Sequence, residues 1–171
     1  LTPELHSIRE ALQHFHFPAR LISVFPQKLD NGDRVITRQS LEAAFAEADV
    51  PALVIRTLPN TDLKRRMHYS GTNPPYLQAE AIDWLVEQGV EHLLIDLPSV
   101  DREEDGGKLA AHRVFWQYPD SVRKNATITE LIFVPDGIKD GLYLLNLQVA
   151  SFELDASPSK PVLYCLEKDL A

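Results

Sequence analysis

Between residues 92 and 130 the chain gathers side chains that can move protons or hold a metal. Asp96, Ser99 and Asp101 lie in DLPSVD, His112 follows in KLAAH, and Glu130 sits in TITEL. An imidazole exchanges protons near neutral pH and ligates divalent ions. Together with a carboxylate it makes a nitrogen–oxygen donor set suited to zinc or manganese. Ser99, Asp101 and His112 are also the residue types of a serine nucleophile with its base, but the chain has no Gly-x-Ser-x-Gly elbow to activate the serine. Each residue has a plainer reading too. A single histidine on an apolar helix packs or sits at the surface, and Asp and Ser cap turns through local hydrogen bonds.

The elements that must position these groups follow from the apolar pattern. Leu93-Leu94-Ile95 is a short apolar run bounded by polar residues and reads as a buried strand. It ends at Asp96, and Pro98 cannot donate to a ladder. Polar loops at the carboxyl ends of parallel strands are where such sheets bind ligands, which makes the Asp96–Asp101 exit a candidate site. Upstream, Thr2-Pro3-Glu4 opens a helix carrying Ile8, Leu12 and Phe15, closed by Pro18. Arg20 to Phe25 reads as a strand and Asp30-Asn31-Gly32-Asp33 as a turn. Thr37 caps a helix with Leu41, Ala44, Phe45 and Ala48 on one face. Ala52 to Thr57 is a second strand. A long loop with prolines at 59, 74 and 75 leads to a third helix, about Leu77 to Gln88, stopped by Gly89. Strand and helix alternating in this way predict parallel α/β packing. After residue 126 the pattern turns to strands over 126–134, 141–150 and 161–166, expected to be an antiparallel meander.

Composition excludes several functions. The 171 residues are 44% hydrophobic and 25% charged, as in one ordinary globular domain. A formal net charge of −8 argues against a nucleic-acid footprint. The dense basic run, Lys64-Arg65-Arg66, reads as a solvated turn. No apolar stretch reaches the roughly 20 residues that span a bilayer, so neither nucleic acid nor membrane is expected as a partner. Cys165 is the single cysteine, which rules out an intrachain disulfide, leans toward a reducing, cytoplasmic setting and predicts a small buried hydrophobe at a strand end. His14 and His16, flanked by Phe15 and Phe17, read as surface residues. Arg56-Thr57 and Ser70-Gly71-Thr72-Asn73 could meet a substrate by loop position alone, and Phe115 and Trp116 could stack on one or simply pack in the core.

The order Asp-x-Pro-Ser-Val-Asp (96–101), Ala-His (111–112) and Thr-Glu-Leu (129–131), with SFELDASPSKPVL near the end, resembles the cyclase family of metal-dependent hydrolases, which includes bacterial kynurenine formamidases. The resemblance implies a swivelling β/β/α domain over residues 1–171, an α/β half followed by a β-rich half. It implies His112 and Glu130 as ligands of zinc or manganese, with Asp96, Ser99 and Asp101 shaping the loop beside them. The activity it implies is hydrolysis of non-peptide C–N bonds, of the arylformamidase kind, on a small molecule such as N-formylkynurenine in tryptophan catabolism, by attack of a metal-bound hydroxide. A homodimer or higher homo-oligomer is expected. The family's His-x-Gly-Thr-His-x-Asp/Glu segment is not in this sequence, and the Gln117–Asn125 connector looks longer than in formamidases. The expectation is therefore a chain lacking the amino-terminal portion and inactive alone, with no proton-transfer residue assignable. The alternatives are a lactone- or cyclase-type reaction, or a non-catalytic binding or assembly module on the same scaffold.

Overall fold

The computed structural model describes residues 7–45 and 50–166. Its spine is a six-stranded sheet in the order β7-β6-β4-β1-β8-β9. Strands β1 (His16–Val24), β4 (Ala52–Thr57), β6 (His92–Ile95) and β7 (Thr127–Thr129) run parallel, while β8 (Gly141–Asn146) and β9 (Val162–Cys165) continue antiparallel beyond β1. A small second sheet joins β2 (Gln27–Lys28), β3 (Arg34–Ile36) and β5 (Tyr76–Leu77). Every residue of β4 and β6 is buried, as expected of central parallel strands covered on both faces.

The two faces carry separate cores. On one, Ile22, Leu53, Ile55, Leu93 and Ile95 pack beneath the helices α2 (Arg38–Ala44), α3 (Ala79–Glu87) and α4 (Ala110–Phe115). On the other, Leu21, Val54, Leu94 and Leu145 pack with Leu12, Val134 and Leu147. Ile82 and Leu85 of α3 are fully buried, each contributing about 1.5–3 kcal/mol of transfer free energy. Thr37 caps α2 by accepting from the Ser40 amide at 3.1 Å. Gly89, at φ 79°, lets the chain leave α3 in the left-handed region.

Several expectations are corrected. The Thr2 cap, His6 and Ala48 lie outside the described residues. Helix α1 spans only Ile8–Ala11, and Pro18, expected to close it, lies inside β1. The ladder to β4 begins at Ala19, so the strand has one partner at Pro18, and proline is tolerated there. Leu77 belongs to β5, not to α3. β7 is parallel to β6, so the antiparallel part begins at β8. Residues 152–158 form no strand; an isolated Val149–Ser159 bridge precedes β9. Cys165 is exposed on edge strand β9. Among the described residues, no helix is long and apolar enough to cross a membrane.

Candidate functional site

Strand β6 pairs Leu94 with Thr129 of β7, which sets Asp96 and Glu130 at the same end of the sheet. The loop after β6 then returns Asp101 to the start of α4. There its carboxylate accepts from the amides of Ala111 (2.7 Å) and His112 (3.2 Å). Leu109, the residue before the helix, has a left-handed backbone and no capping side chain. Asp101 thus satisfies, from across a loop, amide donors that the helix leaves open.

The same carboxylate meets His112 Nδ1 at 2.6 Å. Burial would raise the Asp101 carboxyl, but the hydrogen bonds from the His112 ring and from the Ala111 and His112 amides outweigh it and hold the group below its ordinary range. An ionised carboxylate at that distance keeps the proton on Nδ1 and leaves Nε2 as the working nitrogen. Nε2 faces Glu130 Oε1 at 3.7 Å. Burial pushes the Glu130 carboxyl above its usual range, with His112 and a hydrogen bond from the Val100 amide (3.2 Å) opposing the shift. Trp116, one turn along α4, lies with its ring 5.4 Å from the imidazole and donates its indole N–H to the Ala126 carbonyl at 2.9 Å.

His112, Trp116 and Glu130 line one cavity of about 810 Å³ with Leu109, Ile128 and Leu131. The Gln117–Asn125 connector supplies part of its wall through Tyr118, Val122, Arg123 and Lys124. The arrangement is an imidazole of fixed tautomer and a carboxyl of raised proton affinity, side by side in a recess lined by apolar and polar side chains alike. It can bind a cation between them or exchange protons with a bound substrate.

The other sequence candidates fall elsewhere. Ser99 Oγ accepts from the Asp101 amide at 3.0 Å and shapes the turn. Asp96 is fully buried, accepting from the Thr57 amide and hydroxyl and from Lys64 Nζ at 2.8 Å. Lys64, read from sequence as part of a solvated turn, is therefore largely buried, because the short 3-10 helix at Asp62–Arg66 folds it back over the strand ends. Arg56 is consumed by Ser23, Asp140 and the Pro135 and Ile138 carbonyls. Glu103 pins the Gly71 and Asn73 amides. Neither Arg56-Thr57 nor residues 70–73 line the cavity. Phe115 is fully buried core, and His14 and His16 are exposed. Sequence reading missed Asp33, which is buried and accepts from Asn73, Tyr76 and Arg102. The Asn73 amide and then the Arg102 guanidinium hold its carboxyl at about 2, tying the loop beside Asp101 to the small sheet. Its signal was an acid within the Asn-Gly turn.

A nitrogen and an oxygen bound to one zinc at about 2.0–2.2 Å and a tetrahedral angle lie roughly 3.4 Å apart. His112 Nε2 and Glu130 Oε1, at 3.7 Å, match such a pair in type and spacing. They are two donors. Among the described residues no group of three or more His, Cys, Asp or Glu side chains is arranged to hold a metal ion.

Comparison with known proteins agrees with the fold. The kynurenine formamidase of Bacillus cytotoxicus is 33% identical over 90 residues, covering 52% of this chain and 39% of that protein. That of Bacillus cereus is 31% identical over 147 residues, covering 85% and 61%. The chain thus spans less than two thirds of the length of these curated relatives. Among solved structures, "The Structure Of Potential Metal-Dependent Hydrolase With Cyclase Activity" superposes with a TM-score of 0.63 at 15% identity, over 90% of this chain and 67% of that one. "Crystal structure of an isatin hydrolase bound to product analogue thioisatinate" gives 0.56 at 16%, over 84% and 58%. Residues 3–102 match the family described as "Putative cyclase", a span that holds Asp96, Ser99 and Asp101 and stops short of His112 and Glu130. That match takes in more than half of the 171 residues, and the chain belongs to the cyclase family.

Proposed function

We propose that the chain carries the histidine–carboxylate part of a metal-dependent hydrolase acting on non-peptide amides, of the arylformamidase kind. N-formylkynurenine is the substrate its curated relatives' names suggest. The observation that carries this reading is the Asp101–His112–Glu130 arrangement, with Nδ1 bound at 2.6 Å and Nε2 turned toward Oε1 at 3.7 Å in a shared cavity.

His112 and Glu130 are assigned as two donors to one divalent ion, zinc or manganese. A catalytic zinc commonly takes three protein ligands, so these two do not make the site by themselves. When bound, such an ion supplies Lewis acidity toward a carbonyl and its attacking water.

The chain's own residues supply the two donors and their orientation. Asp101 orients the imidazole and fixes its tautomer, so Nε2 needs no rearrangement to act. Burial raises the proton affinity of the Glu130 carboxyl in the metal-free chain, and a bound cation would displace that proton and take the carboxylate as its donor. Hydrolysis of a formamide adds water across the C–N bond. One proton ends on the departing amine and the formyl carbon leaves as formate.

The test is formate release from N-formylkynurenine by the intact enzyme, with metal content measured in parallel. Turnover that follows metal loading and is lost in His112→Ala supports the reading. A protein that binds the substrate and never releases formate, metal-loaded or not, is the binding module instead.

A further inference from the structure

We propose that Asp33 is a positioning residue for His112, acting through its ion pair with Arg102 and the loop that carries Asp101. The inference rests on the hydrolase reading for what the imidazole is used for. Asp33 lies at the corner of the small sheet, just before β3, and is 2% exposed. Its carboxylate accepts from the side-chain amides of Asn31 and Asn73 at 3.0 Å each and from the Tyr76 hydroxyl at 3.2 Å. Arg102 reaches it from the loop with two prongs, Nε to Oδ2 at 3.0 Å and Nη2 to Oδ1 at 3.3 Å. A two-pronged pair fixes direction as well as distance. A buried carboxylate also holds its cation strongly, because leaving it unpaired is costly.

What the pair holds is the segment that builds the site. The Val100 amide donates to Glu130 Oε1 at 3.2 Å, and its carbonyl accepts from the Leu77 amide of β5 at 3.0 Å. Asp101 comes next, bonded to His112 Nδ1 and to the first amides of α4, a helix with no capping side chain of its own. Arg102 then closes the segment onto Asp33. The small sheet thus anchors the chain on either side of Asp101, at Leu77 and at Asp33. Packing alone does not fix the carboxylate. A hollow of about 210 Å³ lies beside Asp101, lined also by Tyr76, Arg102, Lys108 and Ala111. Close-packed interiors leave few such spaces, so directional bonds must hold Asp101 there. Without the Arg102 anchor Asp101 has room to shift, and the imidazole is freed to turn.

The test reads the imidazole directly, by long-range proton–nitrogen NMR of the metal-free full chain at pH 8, where an unperturbed histidine is neutral. The His112 resonances are those lost in His112→Gln. Wild type should carry the proton on Nδ1. Asp33→Asn and Arg102→Gln should lose that signature, with the Nε2–H form appearing. In the intact enzyme each should also weaken metal binding about tenfold, the low end for disturbing a ligand's outer partners. Arg102→Lys keeps the charge without the fork and should fall between. Tyr76→Phe removes a different donor to Asp33 and leaves Arg102 in place, so it should lower the thermal midpoint and keep Nδ1–H. The Arg102 side chain is 41% exposed, so its variants should fold even where Asp33→Asn does not. Nδ1–H retained in Arg102→Gln, lost equally in Tyr76→Phe, or absent from wild type overturns the proposal. Formate release by the intact enzyme judges the hydrolase reading separately, so the two can fail apart.

Discussion

At the residue scale the site rests on which nitrogen of His112 is free, and Asp101 decides that. In the intact enzyme His112→Ala removes a donor, so it should abolish most formamide hydrolysis and lower metal content. Asp101→Asn keeps the shape but removes the charge that holds Nδ1 protonated. A loss of about 10–100-fold is expected, the usual cost of disturbing a ligand's outer partner. Ser99 Oγ only accepts from the Asp101 amide, so Ser99→Ala should be milder than either. Rates of formate release with metal analysis check all three. Ser99→Ala as damaging as His112→Ala, at normal metal content, would reopen a serine nucleophile. His112 and Glu130 were legible as a pair because two short motifs flank one connector. Asp101 was legible only as a loop residue. Its partners are the amides ten and eleven residues on, and nothing in a local pattern says that a loop will fold back to cap a helix.

At the element scale the strands β4 and β6 were readable almost to the residue, since central parallel strands are short unbroken apolar runs bounded by polar residues. What connects them was not readable. The orientation of β7 depends on how the chain crosses over after α4, which its own three residues cannot encode. The loop after β4 reads as polar and irregular, yet it carries Lys64 into a buried ion pair with Asp96, a residue 32 positions away. That pair, with the Thr57 hydroxyl bonded to both partners, ties the 3-10 helix to the carboxyl ends of β4 and β6. Lys64→Ala should therefore destabilise the fold by about 3 kcal/mol, because Asp96 would stay buried without its counter-charge. Chemical denaturation of the variant checks this. A change under about 1 kcal/mol, the range of surface pairs, would mean that water reaches Asp96 and the clamp is not one.

At the scale of the whole molecule, stability should depend on pH through a residue at the opposite end of β6 from Asp96. His92 opens β6 at 3% exposure, with Nδ1 2.9 Å from the Thr127 hydroxyl and its ring 4.1 Å from that of Phe17. Burial, aided by the Arg123 charge, lowers its pKa from 6.5 to about 4. The folded state therefore resists protonation that the unfolded chain accepts. Above pH 6.5 both states hold neutral imidazole and stability is at its full value. As pH falls from 6.5 toward 4 the unfolded state gains the proton first, and stability drops. Below about 4 the folded state is protonated too, and this contribution levels off. A shift of this size corresponds to about 3 kcal/mol, a large share of the roughly 5–15 kcal/mol that holds a domain folded. Other groups titrate nearby with different signs. Asp33 and Asp101, both depressed, lose their contributions at lower pH, whereas the raised Glu130 favours the folded state as it protonates. The difference between wild type and His92→Gln isolates the histidine, since glutamine keeps a hydrogen-bonding group toward Thr127 and does not titrate. Urea unfolding from pH 7.5 to 4 should show wild type losing more stability than the variant, with the gap opening between pH 6.5 and 4. Parallel curves across that window would show that His92 takes up its proton in the folded protein as easily as in the unfolded chain, and that the Phe17 and Thr127 contacts open to water.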